Sequence, residues 1–213
     1  MLFLLLLLGY LIGGIPFAVP VVRWLHGLDV RDTGSGNVGA RNSLRVGGPG
    51  AAALVLLLDA LKSAAPMLAA RWLSNDLWAA PLVGVAAVLG HCYSPYLIAR
   101  AWRLPWAGWR QAALRVGGQG LASSLGVVLV LTPLLAVPVL LLGAGFIFGL
   151  KRSTGAAVAM ITAGPLAAWA LHYPTPNVVS LGLVALIIFS KLLPDLLSLP
   201  TDHASQTVQS SEK

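Results

Sequence analysis

Leu2-Phe3-Leu4-Leu5-Leu6-Leu7-Leu8-Gly9-Tyr10-Leu11-Ile12-Gly13-Gly14-Ile15-Pro16-Phe17-Ala18-Val19-Pro20-Val21-Val22 runs for 21 residues without a charge. A helix needs about 20 apolar residues to cross the hydrocarbon core of a bilayer, so this stretch is long enough to span it. No basic residue precedes the leucine run and Arg23 follows it, the reverse of a secretory leader, so the segment reads as a retained first span. Gly9, Gly13 and Gly14 give it a face on which another helix can pack closely.

The whole chain has the same character. Of its 213 residues 57% are hydrophobic and 10% are charged, with a mean hydropathy of +0.83. Soluble domains carry about 25% charged residues, so this chain cannot clothe a globular surface. It reads as an all-α, polytopic membrane protein. Apolar runs place seven transmembrane helices near 2–22, 50–71, 79–98, 121–131, 134–150, 154–171 and 177–191, with a turn at Thr132-Pro133. A single helix over 121–150, kinked at that proline, is the competing reading.

Charge placement favours seven. With the N-terminus outside, one side holds Arg23, Arg31, Arg41, Arg45, Arg100, Arg103, Arg110, Arg115, Lys151, Arg152, Lys191 and Lys213. The other side holds Arg71, next to Asp76. That asymmetry follows the positive-inside rule and puts the C-terminus in the cytoplasm of a multi-pass cell-membrane protein. The net charge of +7 is explained by these loops and asks for membrane lipids as partners, not nucleic acid. Residues 1–197 form one transmembrane domain on this reading, and the polar tail 198–213 has no apolar period and reads as disordered. The single cysteine, Cys92, excludes an intrachain disulfide and lies in an apolar run that suits a core residue. His26, His172 and His203 fall in loops or the tail with no ligand spacing, and no metal or cofactor is expected.

Between the first two spans lies Gly34-Ser35-Gly36-Asn37-Val38-Gly39-Ala40-Arg41-Asn42-Ser43-Leu44-Arg45. Its glycines free the backbone to aim N–H groups into a concave anion site, and Ser35, Asn37, Arg41, Asn42 and Arg45 add side-chain donors. A flexible interhelical linker is the alternative. Asp59 and Lys62, at i and i+3 in the second span, face the same side of a helix. Charges at such depth either pair or line a polar cavity, and both readings stand. Lys62 is expected to face the pocket of the glycine loop. His91 is the one histidine within a span, and suits either a hydrogen-bonded core group or a site residue. A second polar island, Arg110 to Ser124, places Gly117, Gly118 and Gly120 before a helix start on the same side as the first loop.

Together the stretch Tyr10 to Phe17, the loop Gly34 to Arg45, Asp59-Ala60-Leu61-Lys62 and Gly90-His91 resemble the bacterial acyl-phosphate:glycerol-3-phosphate acyltransferase family (PlsY), whose loop pattern is G-S-G-N-[IV]-G-x-x-N-x-x-R. The resemblance implies a seven-span enzyme with its site facing the cytoplasm. Its implied reaction moves a fatty acyl group from acyl-phosphate to glycerol-3-phosphate, giving lysophosphatidate and phosphate without a cofactor. It also implies catalytic roles for Ser35, Asn37 and Arg45. Substrate binding would fall to Gly34, Gly36, Gly39, Asn42, Lys62, His91, Arg115, Gly117, Gly118, Gln119 and Ser123.

Departures accompany the likeness. The family's second motif is K-G-G-K-G-[VL]-A-T, and Val116 and Gln119 stand here at its lysine positions. A tryptophan-bearing insert near 99–114 and a last span lacking the family's H-R-E-N pattern also differ, and the insert suits an interfacial segment on anionic lipid. Two alternatives follow: a weakly active or other-acceptor relative, and a small transporter or scaffold with a phosphate pocket.

Overall fold

The computed structural model describes residues 1–101, 103, 115–150 and 153–197. Most of the insert, the Lys151-Arg152 pair and the tail 198–213 lie outside the described residues, and with them the expectations placed there. Among the described residues every regular element is an α-helix: α1 Leu2–Gly14, α2 Ala18–His26, α3 Ala40–Leu73, α4 Ala79–Cys92, α5 Pro95–Ala101, α6 Leu121–Leu131, α7 Pro133–Leu150, α8 Ser153–Ala170 and α9 Thr175–Leu197.

Four segments are long and apolar enough to cross a membrane: Leu2–His26, Ala40–Leu73, Ala79–Ile98 and Thr175–Pro194. Shorter apolar helices occupy Leu121–Leu131, Pro133–Leu142 and Thr154–Ala170. The break at Thr132 falls at the expected turn, so 121–150 is two helices and not one.

Two expected spans are themselves divided. The segment 2–22 breaks after Gly14, because Ile15 is extended (φ −59°, ψ 119°) ahead of Pro16, which disfavours helix at the preceding residue. The segment 79–98 ends its first helix at Cys92 and restarts at Pro95, a first-turn position that loses nothing by lacking an N–H. A third correction concerns the polar stretch 34–45, read as loop throughout. From Ala40 onward it is helix, and the non-helical residue is Gly48 (φ 72°, ψ −175°), which separates a short head, residues 40–47, from the long body of α3. Only glycine adopts that conformation readily.

Helices α1, α4 and α6 have 13, 14 and 11 residues. At 1.5 Å per residue each reaches only ~16–21 Å, short of a hydrocarbon core of about 30 Å. The chain therefore continues beyond α1 and α4 through short breaks, and all three helices pack against α3. The packing that brings them together rests on absent side chains. A Cβ at Gly13 would collide with the Ala87 backbone, and one at Gly90 with the Tyr10 carbonyl, so α1 and α4 cross at backbone contact. Gly126 of α6 lies equally close to the Ala60 backbone of α3. At the opposite end of the bundle, Arg71 donates to the Val130 carbonyl (2.9 Å) and Asn177 to the Leu131 carbonyl (3.0 Å), tying α3, α6 and α9.

Candidate active site

Where α1 stops, two carbonyls lose their helical partners. Ser94 Oγ donates to the Gly14 carbonyl at 2.6 Å, and Lys62 Nζ donates to the Ile15 carbonyl at 2.7 Å. The end of α4 is answered in kind: Tyr10 Oη donates to the Tyr93 carbonyl at 2.8 Å, and the Gly118 N–H to the His91 carbonyl at 3.0 Å. Ser94 N–H in turn reaches the Val116 carbonyl at 2.8 Å. Lys62 also pairs with Asp59 (Nζ to Oδ1 2.8 Å) and lies 5.7 Å from the centre of the Phe17 ring. The expected i, i+3 pair is thus formed, and both side chains are almost wholly buried.

His91 sits at the last turn of α4, not mid-span, with Nδ1 3.7 Å from Asp59 Oδ1. The other edge of its ring faces Gly118, where any Cβ would strike Nε2. Gly117 is pressed as closely on the Cys92 and His91 carbonyls, so the second glycine segment is a close-packed turn against the end of α4. Gln119 and Arg115 flank that turn, both part-buried, and Val116 turns with them. Ser123, in the first turn of α6, shares a 2.5 Å hydrogen bond with Ser63, one residue beyond Lys62. Lys191 of α9 is buried nearby with Nζ 5.0 Å from the centre of the Tyr93 ring, whose hydroxyl meets Ser190 Oγ at 2.7 Å. Cys92 is fully buried, as a core residue should be.

The first glycine segment is organised differently. Asn42 is 3% exposed and its amide is fully used: Nδ2 donates to the Val30 and Thr33 carbonyls (2.9 and 3.0 Å), and Oδ1 accepts from the Ser35 N–H (2.9 Å). Gly36 N–H donates to the Thr33 carbonyl at 3.1 Å. The amides at 35 and 36 therefore close the loop on itself and do not form an anion cradle, which corrects the expectation for that half. The N–H groups from Asn37 to Arg41 have no intramolecular acceptor among the described residues. They surround the start of α3, with Gly39 as an extended N-cap that supplies no side-chain bond. Asn37 is buried with Oδ1 unpaired, beside Gly39. Arg45 runs along Gly34, and Arg41 lies one turn before it on the same exposed face.

Beneath the loop, Val30 and Val38 are buried with Val22, Leu97 and Val55. Val55 precedes Asp59 by one turn, ~6 Å of rise, so the apolar floor of the loop reaches α3 about one turn from the buried pair. No bond joins Lys62 to residues 34–39 among the described residues; it reaches the break at Ile15 instead. The outer edge is held by Asp29, which accepts from Arg31 (Nε 2.8 Å, Nη2 2.5 Å) and Arg23 (2.9 Å), while Arg100 of α5 bonds Asp32 at 2.8 Å. The bonded Arg31 guanidinium holds the Asp29 carboxyl well below the usual carboxylate range.

A narrow, partly open apolar groove lies between α6, α7, α8 and α9, bordered by Leu121, Ser124, Val128, Val139, Gly164 and Ile188. Its Ile188 end abuts Gly120, tying it to the second glycine turn.

Ser94, Tyr93 and Asp29 were not singled out from the sequence, and Tyr10 and Lys191 were named there without these contacts. The available signal was the pair of prolines, Pro16 and Pro95, each interrupting an apolar run, the second directly after Tyr93-Ser94.

Helix ends meeting around buried polar groups inside an apolar bundle define an integral membrane protein with a site at one end. The residues around those ends place it further: over residues 3–197 the chain matches the glycerol-3-phosphate acyltransferase family, and it belongs to that family. It is 48% identical to the glycerol-3-phosphate acyltransferase of Myxococcus xanthus (strain DK1622) over 130 residues, 61% of this chain and 59% of that one. It is 38% identical to the enzyme of the same name from Methylorubrum extorquens (strain PA1) over 183 residues, 85% and 81% of the two chains. Its fold matches the crystal structure of PlsY (YgiH), an integral membrane glycerol 3-phosphate acyltransferase, in the glycerol 3-phosphate form. That match has a TM-score of 0.76 and 28% identity, covering 92% of this chain and 90% of that one. The lysophosphatidic acid form gives the same TM-score.

Two outcomes follow from these contacts. Lys62→Met strands the buried Asp59 carboxylate and should cost about 3–5 kcal/mol, whereas Asp59→Asn with Lys62→Met should recover most of it, read as thermal unfolding in detergent. The Asp29 carboxyl, depressed when folded, stabilises the loop at neutral pH. That contribution starts to fall as pH drops into the ordinary carboxylate range, about 4, and is lost only through the lower folded pKa. The protection factors of amides over residues 27–39, exchange rates corrected for intrinsic pH dependence, should therefore fall on acidification in the wild type, and start low and change less in Asp29→Asn.

Proposed function

We propose that this membrane acyltransferase takes a fatty acyl group from acyl-phosphate and delivers it to the 1-hydroxyl of glycerol-3-phosphate. The products are lysophosphatidate and inorganic phosphate, a step of phospholipid synthesis. The observation that supports the reading is the start of α3, where consecutive amides have no acceptor among the described residues and Ser35, Arg41 and Arg45 of the same segment are exposed.

Acyl-phosphate is already activated, so no serine or cysteine nucleophile is needed. The acceptor oxygen bonds the acyl carbon, the carbon–oxygen bond to phosphate breaks, and the leaving phosphate takes the hydroxyl proton. Charge grows on that phosphate as it departs, and fixed N–H dipoles at a helix start stabilise it without reorganising. In this reading Asn37, Gly39 and the amides to Arg41 hold the phosphoryl group, with Ser35 and Arg45 at its open side. Gly34 and Gly36 turn the loop, and Asn42 positions it rather than touching substrate. Arg115, Gly117, Gly118 and Gln119 form the facing wall on the acceptor side. Lys62, His91 and Ser123 keep that wall in register with the loop. The apolar groove takes the acyl tail.

The bundle is read as seven crossings, with Leu2–His26 counted once and the three shorter helices added to the long ones. Residues 1–197 form one transmembrane unit, with the N-terminus outside and both glycine segments facing the cytoplasm. Charge placement supports this orientation.

With palmitoyl-phosphate and labelled glycerol-3-phosphate, the purified protein in lipid should make lysophosphatidate. Arg45→Ala should lower kcat/KM about 10- to 100-fold, the loss of one charge-assisted contact. No product from the wild type, or an unaffected Arg45→Ala, would end this reading. For topology, a cysteine at Ser35 should react only with reagent on the cytoplasmic side and one at Asn75 only from outside; labelling from the same side would overturn it.

A further inference from the structure

The groove between α6, α7, α8 and α9 is lined almost entirely by apolar side chains, and one wall has a gap. Gly164 of α8 is buried, yet a Cβ built there would meet nothing within 4 Å. A buried glycine with open space in front of it faces a cavity, and Gly164 borders this one. The next residue, Pro165, lacks the N–H that would bond the Ile161 carbonyl, so the helix is also one rung short at that point.

The groove has a direction. Its near end is Leu121 and Ile188, the latter against Gly120 of the second glycine turn. Its far end follows from α6 and α9, which pass it in opposite senses from Leu121 to Val128 and from Ile188 to Leu181. Seven residues of helix rise ~10 Å, less than the length of an extended palmitoyl chain. Gly164 lies on the later part of α8, four residues past Met160, and α8 runs toward the end where α9 begins. The gap thus belongs to the far end, where a long chain must continue and a short one stops.

We propose that Gly164 sets the acyl-chain length this enzyme accepts, its missing side chain letting long tails pass the far end of the groove. The proposal rests on the acyltransferase reading above and adds a specificity-determining position to it. Hydrophobic pockets discriminate by one methylene over about 10- to 200-fold, so closing the gap with a leucine is a large change on that scale.

The test compares kcat/KM for palmitoyl-phosphate and decanoyl-phosphate, each with glycerol-3-phosphate, in the wild type, Gly164→Leu and Leu181→Ala. Gly164→Leu should lower the palmitoyl-to-decanoyl ratio about tenfold or more, and Leu181→Ala, which enlarges the same end, should raise it. If Gly164→Leu does not fold, the Leu181→Ala ratio decides alone, and an unchanged ratio there overturns the proposal. Equal ratios in all three proteins overturn it as well. A wild type that uses neither donor would instead count against the acyltransferase reading itself, so the two failures are told apart.

Discussion

The site is organised around the bond from Lys62 to the Ile15 carbonyl, which also accepts from the Phe17 N–H at 3.1 Å, and around the Asp59 carboxylate that offsets the lysine's burial. A helix that ends in an apolar medium leaves carbonyls with no water to turn to, a cost of several kcal/mol each. Most membrane proteins avoid this by carrying helices through to the interface. Here α1 ends at Gly14 and α4 at Cys92, so two sets of orphan carbonyls arise close together. They are satisfied mutually: Ser94 serves α1, Tyr10 serves α4, and Gly118 serves the last turn of α4. A cation at the C-terminal end of α1 also opposes the negative pole of that helix.

That arrangement explains why the two glycine segments do different work. Gly117 and Gly118 are required by contact, since backbone and the His91 ring occupy the space a side chain would need. Gly34 and Gly36 are required by conformation, with φ of 63° and 73°. The first kind makes a wall and the second makes a turn. Asn42 then converts the turn into a fixed object by using its whole amide on three loop partners. What remains open to a ligand is the beginning of α3, whose donors the loop leaves untouched.

Much of this could be read from the residues. Apolar runs located the helical segments, because in lipid a run without charges has no other outcome. The Asp59–Lys62 spacing foretold the ion pair, and the loop motif foretold the family. What escaped was partnership across the chain. No local pattern says that Lys62 will meet Ile15 or that Ser94 will meet Gly14, 47 and 80 residues away. The helical state of Ala40 to Gly47 was hidden by glycine-rich flanks, and the inward turn of the Ser35 and Gly36 amides by the usual association of glycine with open loops. The departures at Val116 and Gln119 remain real at the level of side chains, yet the turn that carries them packs on α4 through its backbone.

Gly48 has a mechanical meaning. Its φ of 72° and ψ of −175° interrupt α3 between the short head, residues 40–47, and the long body. Bilayers differ in thickness, and spans respond by tilting. A rigid rod would carry such a tilt straight into the glycine loop at its start. With a joint there, the angle of the long body is set apart from that of the short head, whose neighbouring loop keeps its seat on the valines below.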